Sequence, residues 1–132
     1  MEDLKKKFIV EENLEEKKLV GYVERILPFC KISKSGGIIL EMHEATALEK
    51  VKLALVARFL ANHLEGSISP EVNPEELSRN LDIPKDQVYA RLKELKDDRF
   101  AVTSDKGIYR VNTFEIGKFL DEIEGKYGSS KK

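Results

Sequence analysis

The sequence predicts an α+β fold, and three observations support that prediction. Two amphipathic helix patterns separated by a short break lie between residues 73 and 98, and two runs rich in β-branched and aromatic residues follow them. A further helix pattern and a second hairpin pattern lie upstream, within residues 13–42. The chain has 132 residues, 41 % of them hydrophobic, which is enough for one domain with an appendage but not for two large domains.

The first helix of the pair begins at a clear signal. Asn73 is placed as the N-cap, and Pro74 follows at the first helical position, where its missing N–H costs nothing. Glu76 stands three residues after the cap and is expected to complete a capping box. Leu77 and Leu81 are four residues apart, so they give this helix one apolar face.

A tight turn at residues 82–84 separates the first helix from the second, because the residue before a proline avoids the α region. From Pro84 the apolar residues Val88, Leu92 and Leu95 recur at spacings of four and three, which places them on one side of a helix. The residues left off that side are our candidate contact residues: Lys85, Gln87, Tyr89 and Lys93.

Residues 99–103 and 108–111 are predicted to be strands, joined by Asp105-Lys106-Gly107, which offers the positive φ that a hairpin turn needs. Helix, tight turn, helix and hairpin in this order are typical of a winged helix-turn-helix. The hairpin would be the wing, with Lys106 and Arg110 as its candidate contact residues.

The segments on either side of this unit have patterns of their own. Residues 66–72 would hold the short first strand of a winged helix, although Pro70 limits how much of it can pair. After the wing, Asn112 or Thr113 together with Glu115 is expected to cap a last helix. The predicted apolar stripe of that helix is Phe114, Ile116, Phe119, Leu120 and Ile123.

The sequence pattern of the N-terminal third of the chain predicts one helix and one hairpin. Residues 1–12 are too short and too mixed to assign, and a frayed or strand-like arm is the simplest expectation. Residues 13–27 form an amphipathic helix pattern that Pro28 closes. Residues 29–33 and 38–42 are predicted strands, with glycines in the turn between them. The apolar residues of the helix are Leu19, Val20, Val23, Ile26 and Leu27.

A long helix should connect the two parts. Thr46 and Glu49 form a capping box at its start, and it is expected to run to about Leu64. Between Leu53 and Ala61 the only charge is Arg58, so this helix should be buried on most sides. Its charged residues interrupt the run of about eighteen apolar residues that a membrane span would need. We therefore expect no membrane association.

These patterns divide the chain into three parts. Residues 1–44 form a helix and β-hairpin extension, residues 45–126 form the winged-helix domain, and residues 127–132 form a polar tail. Basic and acidic residues number 23 and 24, so no basic excess favours nucleic-acid binding from charge alone. Seventeen Lys, seventeen Glu and a single Gln are typical of proteins from hot environments. The single cysteine and the absence of a leader pattern predict a cytoplasmic protein.

The sequence contains no pattern of a catalytic, cofactor or metal site. It has no P-loop, no GxGxxG and no nucleophile beside a base, so we expect no enzyme activity and no cofactor. Cys30, His43, Glu44 and His63 lack the spacing of metal ligands, and Cys30 is expected to be a small buried apolar residue. The loop 31–37 could cradle a phosphate through its backbone amides, or it could be a plain hairpin turn.

Residues 74–95 resemble the core of the archaeal and bacterial winged-helix regulators, especially the MarR-like, ArsR-like and TrmB-like groups. The resemblance lies in Val88-Tyr89 ahead of the basic residue Arg91 and the Leu-x-x-Leu from Leu92 to Leu95, and it extends over roughly residues 46–124. Two positions depart from the pattern, because Asp86 and Ala90 stand where such proteins often carry Ser or Thr and Arg.

The resemblance implies a DNA-binding transcription regulator whose second helix enters the major groove of double-stranded DNA. It implies that the residues facing DNA are Lys85, Gln87, Tyr89, Lys93, Lys106 and Arg110. A homodimer is expected, since a single neutral module would bind weakly. The candidate dimer surfaces are Leu19, Val23 and Ile26 on one helix and Phe114, Phe119 and Leu120 on the other, unless the monomer buries them. The alternative is a winged-helix module that binds a protein partner within an assembly and does not bind DNA.

Overall fold

A computed structural model describes residues 1–8 and 16–128, and it combines helices with two small antiparallel sheets, as predicted for an α+β protein. None of its helices is both long and apolar enough to cross a membrane. The helices of this part of the chain are α1 (Glu2–Phe8), α2 (Glu16–Ile26), α3 (Ala47–Leu64), α4 (Pro74–Leu81), α5 (Lys85–Asp97) and α6 (Ile116–Tyr127). The strands are β1 (Cys30–Ile32), β2 (Ile38–Leu40), β3 (Ala101–Asp105) and β4 (Ile108–Val111).

Helix α3 is the centre of the hydrophobic core. Its N-terminus carries the predicted capping box, in which Thr46 Oγ1 accepts from the Glu49 N–H and Glu49 Oε1 accepts from the Thr46 N–H. The helix packs against α2, α5, β1 and β4, so one continuous core includes side chains from both the N-terminal segment and the later helices. The predicted burial on most sides is therefore confirmed, and it includes Arg58, which is only 5 % exposed.

Each sheet is a single hairpin. The β1–β2 hairpin pairs Cys30 with Leu40, and its strands are shorter than the sequence predicts. The β3–β4 hairpin pairs Ala101 with Val111 and turns at Gly107, whose φ of +76° is the predicted left-handed position. Strand β3 begins two residues later than expected because Arg99 also adopts a positive φ, +66°, and turns the chain after α5.

The two ends of the chain differ from expectation. Instead of a frayed or strand-like arm, residues 2–8 form helix α1, in which Glu2 and Asp3 stand at the positive end of the helix dipole and no glycine or proline interrupts the turns. The rest of the predicted arm, residues 9–12, lies outside the described residues. At the other end α6 continues through Gly125 to Tyr127, because the Tyr127 hydroxyl donates to Glu49 Oε1 over 2.7 Å and ties the last turn to α3.

Two local expectations about helix ends are wrong. Asn73 caps α4 by accepting from the Glu76 N–H, but the Glu76 carboxylate does not return the bond, because it accepts from Arg58 instead. Phe114 is not part of the stripe on α6: it lies in a 3-10 turn over residues 113–115 and is 75 % exposed. The other predicted members of that stripe, Ile116, Phe119, Leu120 and Ile123, are all buried.

Helix α2 is held against α6 as well as against α3. Arg25 donates to Glu124 Oε1 over 2.7 Å and to Asp121 Oδ1 over 2.6 Å. The hydrogen bond with Glu124 raises the pKa of Arg25 in spite of its partial burial. Leu19 and Ile26 on this helix are buried in the monomer, whereas Val20 and Leu27 remain almost half exposed.

Candidate nucleic-acid interface

The outer surface of α5 carries the residues predicted to contact DNA. Val88, Leu92 and Leu95 are completely buried, and α5 packs through them against α3 and α4. The sequence prediction of which side of α5 faces the core is therefore confirmed. All four predicted contact residues of this helix are exposed: Lys85, Gln87, Tyr89 and Lys93.

Helix periodicity divides these four residues into two groups. Lys85, Tyr89 and Lys93 are each four residues apart, so they form one row along the helix. Gln87 lies about 200° around the helix from Lys85, on the other flank of the exposed surface. The exposed carboxylate of Asp86 stands between the two flanks. The surface therefore offers a row of two cations and a phenol beside an acidic group.

Within the part of the chain that the structure describes, three of the four predicted cations have no acidic partner. Lys85 Nζ lies 3.9 Å from Glu75 Oε1, a distant pair in which both side chains are more than half exposed. Among the described residues, Lys93, Lys106 and Arg110 take part in no ion pair within 4 Å. Their charges remain available for anions such as phosphate.

The second hairpin is attached to the segment that leads into α4. Val72 and Tyr109 exchange both backbone hydrogen bonds, over 2.8 and 2.9 Å, and form a one-residue bridge. Among the described residues, Val72 alone of the predicted first strand forms a bridge, as expected from the proline at position 70. The Ser104 hydroxyl adds a short hydrogen bond to the Glu71 carboxylate. These contacts fix the orientation of the hairpin relative to α4 and α5.

The two predicted contact residues of the hairpin occupy different parts of it. Lys106 is exposed in the turn. Arg110 is half-buried on β4, opposite Val102, and because side chains alternate along a strand it points away from the face that buries Val111. Lys106 and Arg110 therefore belong to the tip and the outer face of the hairpin, respectively.

Sequence reasoning missed the residue that positions α4. The guanidinium of Arg58 donates to the Glu76 carboxylate, and it also donates to three backbone carbonyls in the first hairpin turn and the segment before α4. A lone arginine in an apolar helix could have been recognised as needing buried partners. Those carbonyl oxygens belong to Gly36, Ser69 and Glu71.

The loop between β1 and β2 is a hairpin turn in which the amides of both glycines already have acceptors. The Gly36 N–H donates to the Ser33 carbonyl, and the Gly37 N–H donates to Ser33 Oγ over 2.9 Å. The Ile38 N–H donates to Asn80 Oδ1 over 2.7 Å, which also ties the loop to α4. Of the two interpretations left open by the sequence, the plain turn is the one observed.

Two of the other candidate groups, Cys30 and His63, lie within the fold, whereas His43 and Glu44 are exposed. Cys30 is buried, as expected, and burial raises the pKa of its thiol to about 12. His63 Nδ1 lies 3.2 Å from the Phe59 carbonyl within α3. Within residues 1–8 and 16–128, no three His, Cys, Asp or Glu side chains are grouped in a way that could hold a metal ion.

Comparison with known proteins gives no relative: no protein-family model matches the chain, and no curated sequence or solved structure matches it significantly. Any assignment of function therefore depends on the residues and contacts described above.

Proposed function

We propose that this chain is a non-catalytic, DNA-binding protein of the transcription-regulator type, in which residues 46–124 act as a winged helix. In this proposal α5 enters the major groove of double-stranded DNA, and the β3–β4 hairpin contacts the backbone beside it. The residues assigned to DNA contact are Lys85, Gln87, Tyr89, Lys93, Lys106 and Arg110.

The main support is the division of α5 into a buried and an exposed side. Val88, Leu92 and Leu95 pack into the core, whereas the row of Lys85, Tyr89 and Lys93 is exposed and accessible to a partner. The order of elements adds support, because a hairpin anchored through Val72 and Tyr109 follows directly after α5. Both elements carry cations that form no ion pair with a described residue, and such cations are suited to phosphate contacts, which supply most of the affinity of such proteins.

We further propose that two copies bind one site, because a module with balanced charge gains from doubling its contacts. The contact between copies must use fewer residues than the sequence suggests. Four of the predicted residues are buried in the monomer and therefore cannot contact a second copy: Leu19, Ile26, Phe119 and Leu120. Phe114, 75 % exposed, is the largest exposed apolar side chain of the predicted dimer surfaces. Sedimentation velocity of the free and DNA-bound protein tests this part of the proposal.

Fluorescence anisotropy of a labelled mixed-sequence duplex, titrated at low salt and across a salt series, tests DNA binding itself. The informative variant is the double substitution Lys85→Ala, Lys93→Ala. The matched control is Lys17→Ala, Lys18→Ala on α2, which removes the same charge from two other exposed positions. Circular dichroism verifies that both variants keep the fold.

We expect binding that weakens steeply with salt. If both lysines contact phosphates, the double substitution lowers the slope of log K against log salt by about 2. The control should change affinity only slightly. No binding at low salt, or an equal loss in the control, would contradict the proposal.

The second candidate function is a protein-docking module, and the exposed Asp86 at the start of α5 favours it. A carboxylate between the two flanks of the helix repels phosphate but suits a partner of mixed charge. Tyr89, 49 % exposed, would then be an anchor at the interface. A photoreactive amino acid at position 89 should cross-link one defined protein in cells, whereas the same group at Lys17 should not.

A further inference from the structure

An apolar groove opens beside α3, away from the proposed DNA-binding surface. It has a volume of about 340 Å³ and lies between the C-terminal parts of α2 and α3 and strand β1. Leu27 and Leu64 stand at its edge, and they are 44 % and 63 % exposed. No residue of α5 or of the β3–β4 hairpin lines it. An apolar recess of this kind is unfavourable in water unless something covers it.

Helix α1 has an apolar face that is mostly exposed in the structure. Leu4 and Phe8 are four residues apart, so they share one face of the helix, and they are 63 % and 89 % exposed. Met1 lies on the same side and is 98 % exposed. A helix of seven residues is too short to be stable by itself in water, where roughly 12–15 residues are needed for even marginal stability. Helix α1 therefore needs a surface to pack against.

We propose that α1 docks into this groove of its own chain, with Leu4 and Phe8 inserted between α2 and α3. The described structure is then the undocked form, in which both the helix face and the groove are exposed. Docking buries two large apolar side chains against Leu27 and Leu64 and supplies the packing that a short helix lacks.

The length of the connecting chain allows this arrangement. Seven residues, 9–15, separate α1 from α2. Fully extended, this connection could span at most about 25 Å. Helix α2 is about 16 Å long, so its groove end lies within reach of α1. A short connection also gives α1 an effective concentration near the groove on the order of millimolar, which favours its own chain over a second copy.

The charges at the edge of the groove suit the polar residues of α1. Lys31 and Glu65 both line the groove and carry opposite charges. Glu2 and Asp3 lie in the first turn of α1, and Lys5 and Lys7 lie in its second half. One orientation therefore places the acidic end of the helix near the lysine and its basic end near the glutamate, whereas the reverse orientation sets like charges together.

Disulfide trapping in the full-length chain tests the proposal. Lys7→Cys is combined with Glu65→Cys in a Cys30→Ala background, which keeps the apolar side chains of the helix and the groove edge, and the control combines Lys7→Cys with Lys106→Cys at the tip of the other hairpin. We expect a disulfide within one chain to form at least tenfold faster in the groove pair than in the control, measured in dilute protein by non-reducing electrophoresis and mass spectrometry.

Three outcomes would overturn the proposal. Equal rates in the two pairs would mean that α1 collides with both sites at random. A disulfide that joins two chains would assign the groove to a second copy. No disulfide at all would mean that α1 does not dock in the groove.

A second measurement does not depend on cross-linking. An environment-sensitive dye on Leu64→Cys, again with Cys30→Ala, should emit at longer wavelength when Phe8→Glu is added, because the groove edge becomes wetter. Lys17→Glu is the matched control, because Lys17 is exposed on α2 and does not line the groove, and it should leave the emission nearly unchanged. The same emission with and without Phe8→Glu would contradict docking.

Discussion

Arg58 on α3 and Glu76 on α4 form a largely buried ion pair in which Arg58 Nη1 lies 2.5 Å from Glu76 Oε2. The Arg58 side chain is 6 % exposed and the Glu76 side chain 23 %. The same guanidinium donates to the Gly36 carbonyl in the first hairpin, so one residue joins the N-terminal hairpin, the central helix and α4. The first hairpin is therefore held to the helix pair by polar contacts as well as by the hydrophobic core.

Removing the arginine should be strongly destabilising. Arg58→Ala leaves the Glu76 carboxylate and several carbonyls without their donor, and we expect a loss of about 3–5 kcal/mol in the free energy of unfolding. Arg79→Ala, at an exposed position on α4, is the matched control and should cost less than about 0.5 kcal/mol. Urea unfolding followed by circular dichroism measures both. Similar losses in the two variants would mean that the buried network contributes little.

The carboxylate of Glu49 should make the folding stability depend on pH in the acidic range. Partial burial acts to raise the pKa of Glu49, but hydrogen bonds from Lys126, the Thr46 N–H and the Tyr127 hydroxyl outweigh it and hold the pKa below its ordinary value. A carboxyl group with a lower pKa in the folded state stabilises the fold above its unfolded pKa. That contribution is lost as the pH falls through the folded pKa.

Glu49→Gln should therefore reduce stability near neutral pH, by up to about 1 kcal/mol after screening at this partly exposed site. The difference from the unsubstituted protein should shrink as the pH falls below about 4.5, the ordinary pKa of the group. Urea unfolding of both proteins, repeated from neutral to acidic pH, measures this difference in stability. Glu122→Gln is a suitable control, since Glu122 is 59 % exposed and lies 3.8 Å from Lys52. A difference that stayed constant with pH would argue against this assignment.

The thiol of Cys30 should be protected in the folded protein. With a pKa of about 12 it is almost entirely protonated near pH 8, and it is also buried. We expect an aromatic disulfide reagent to react on the order of a thousandfold more slowly in buffer than in urea. A Leu64→Cys variant with Cys30→Ala provides an exposed thiol for comparison. Fast reaction of Cys30 in buffer would show that the N-terminal hairpin opens easily.

The turn of the second hairpin should depend on glycine. Gly107 has a φ of +76° and open space around it, so an added Cβ would be strained by backbone conformation rather than by contact. Gly107→Ala should cost about 1 kcal/mol. Gly66→Ala, where φ is not positive and space is also open, should change stability by less than that. Thermal unfolding of both variants tests the difference, and an equal effect would exclude the turn geometry as its cause.

Much of the local structure could be predicted from sequence because its causes lie within a few residues. The Thr46 and Glu49 box marks the start of α3, Asn73 and Pro74 mark the start of α4, and Gly107 marks the hairpin turn. The spacing of the apolar residues in α5 was also sufficient to predict which side of the helix is buried and which of its residues are exposed. Their use in binding DNA stays a prediction, because exposure alone does not identify a partner.

Tertiary structure decided the features that depend on residues far apart in the chain. Glu76 is close enough to Asn73 to form a capping box, yet its carboxylate pairs with Arg58 instead. A buried guanidinium without a partner costs more free energy than an uncapped N–H at an exposed helix end. Phe114, by contrast, is exposed for a local reason: Asn112 caps a 3-10 turn ahead of α6, and at 100° per residue Phe114 lies opposite the buried stripe of that helix. Local patterns determine where helices and turns begin, whereas competition for buried partners, which only the folded chain brings together, determines what each side chain finally contacts.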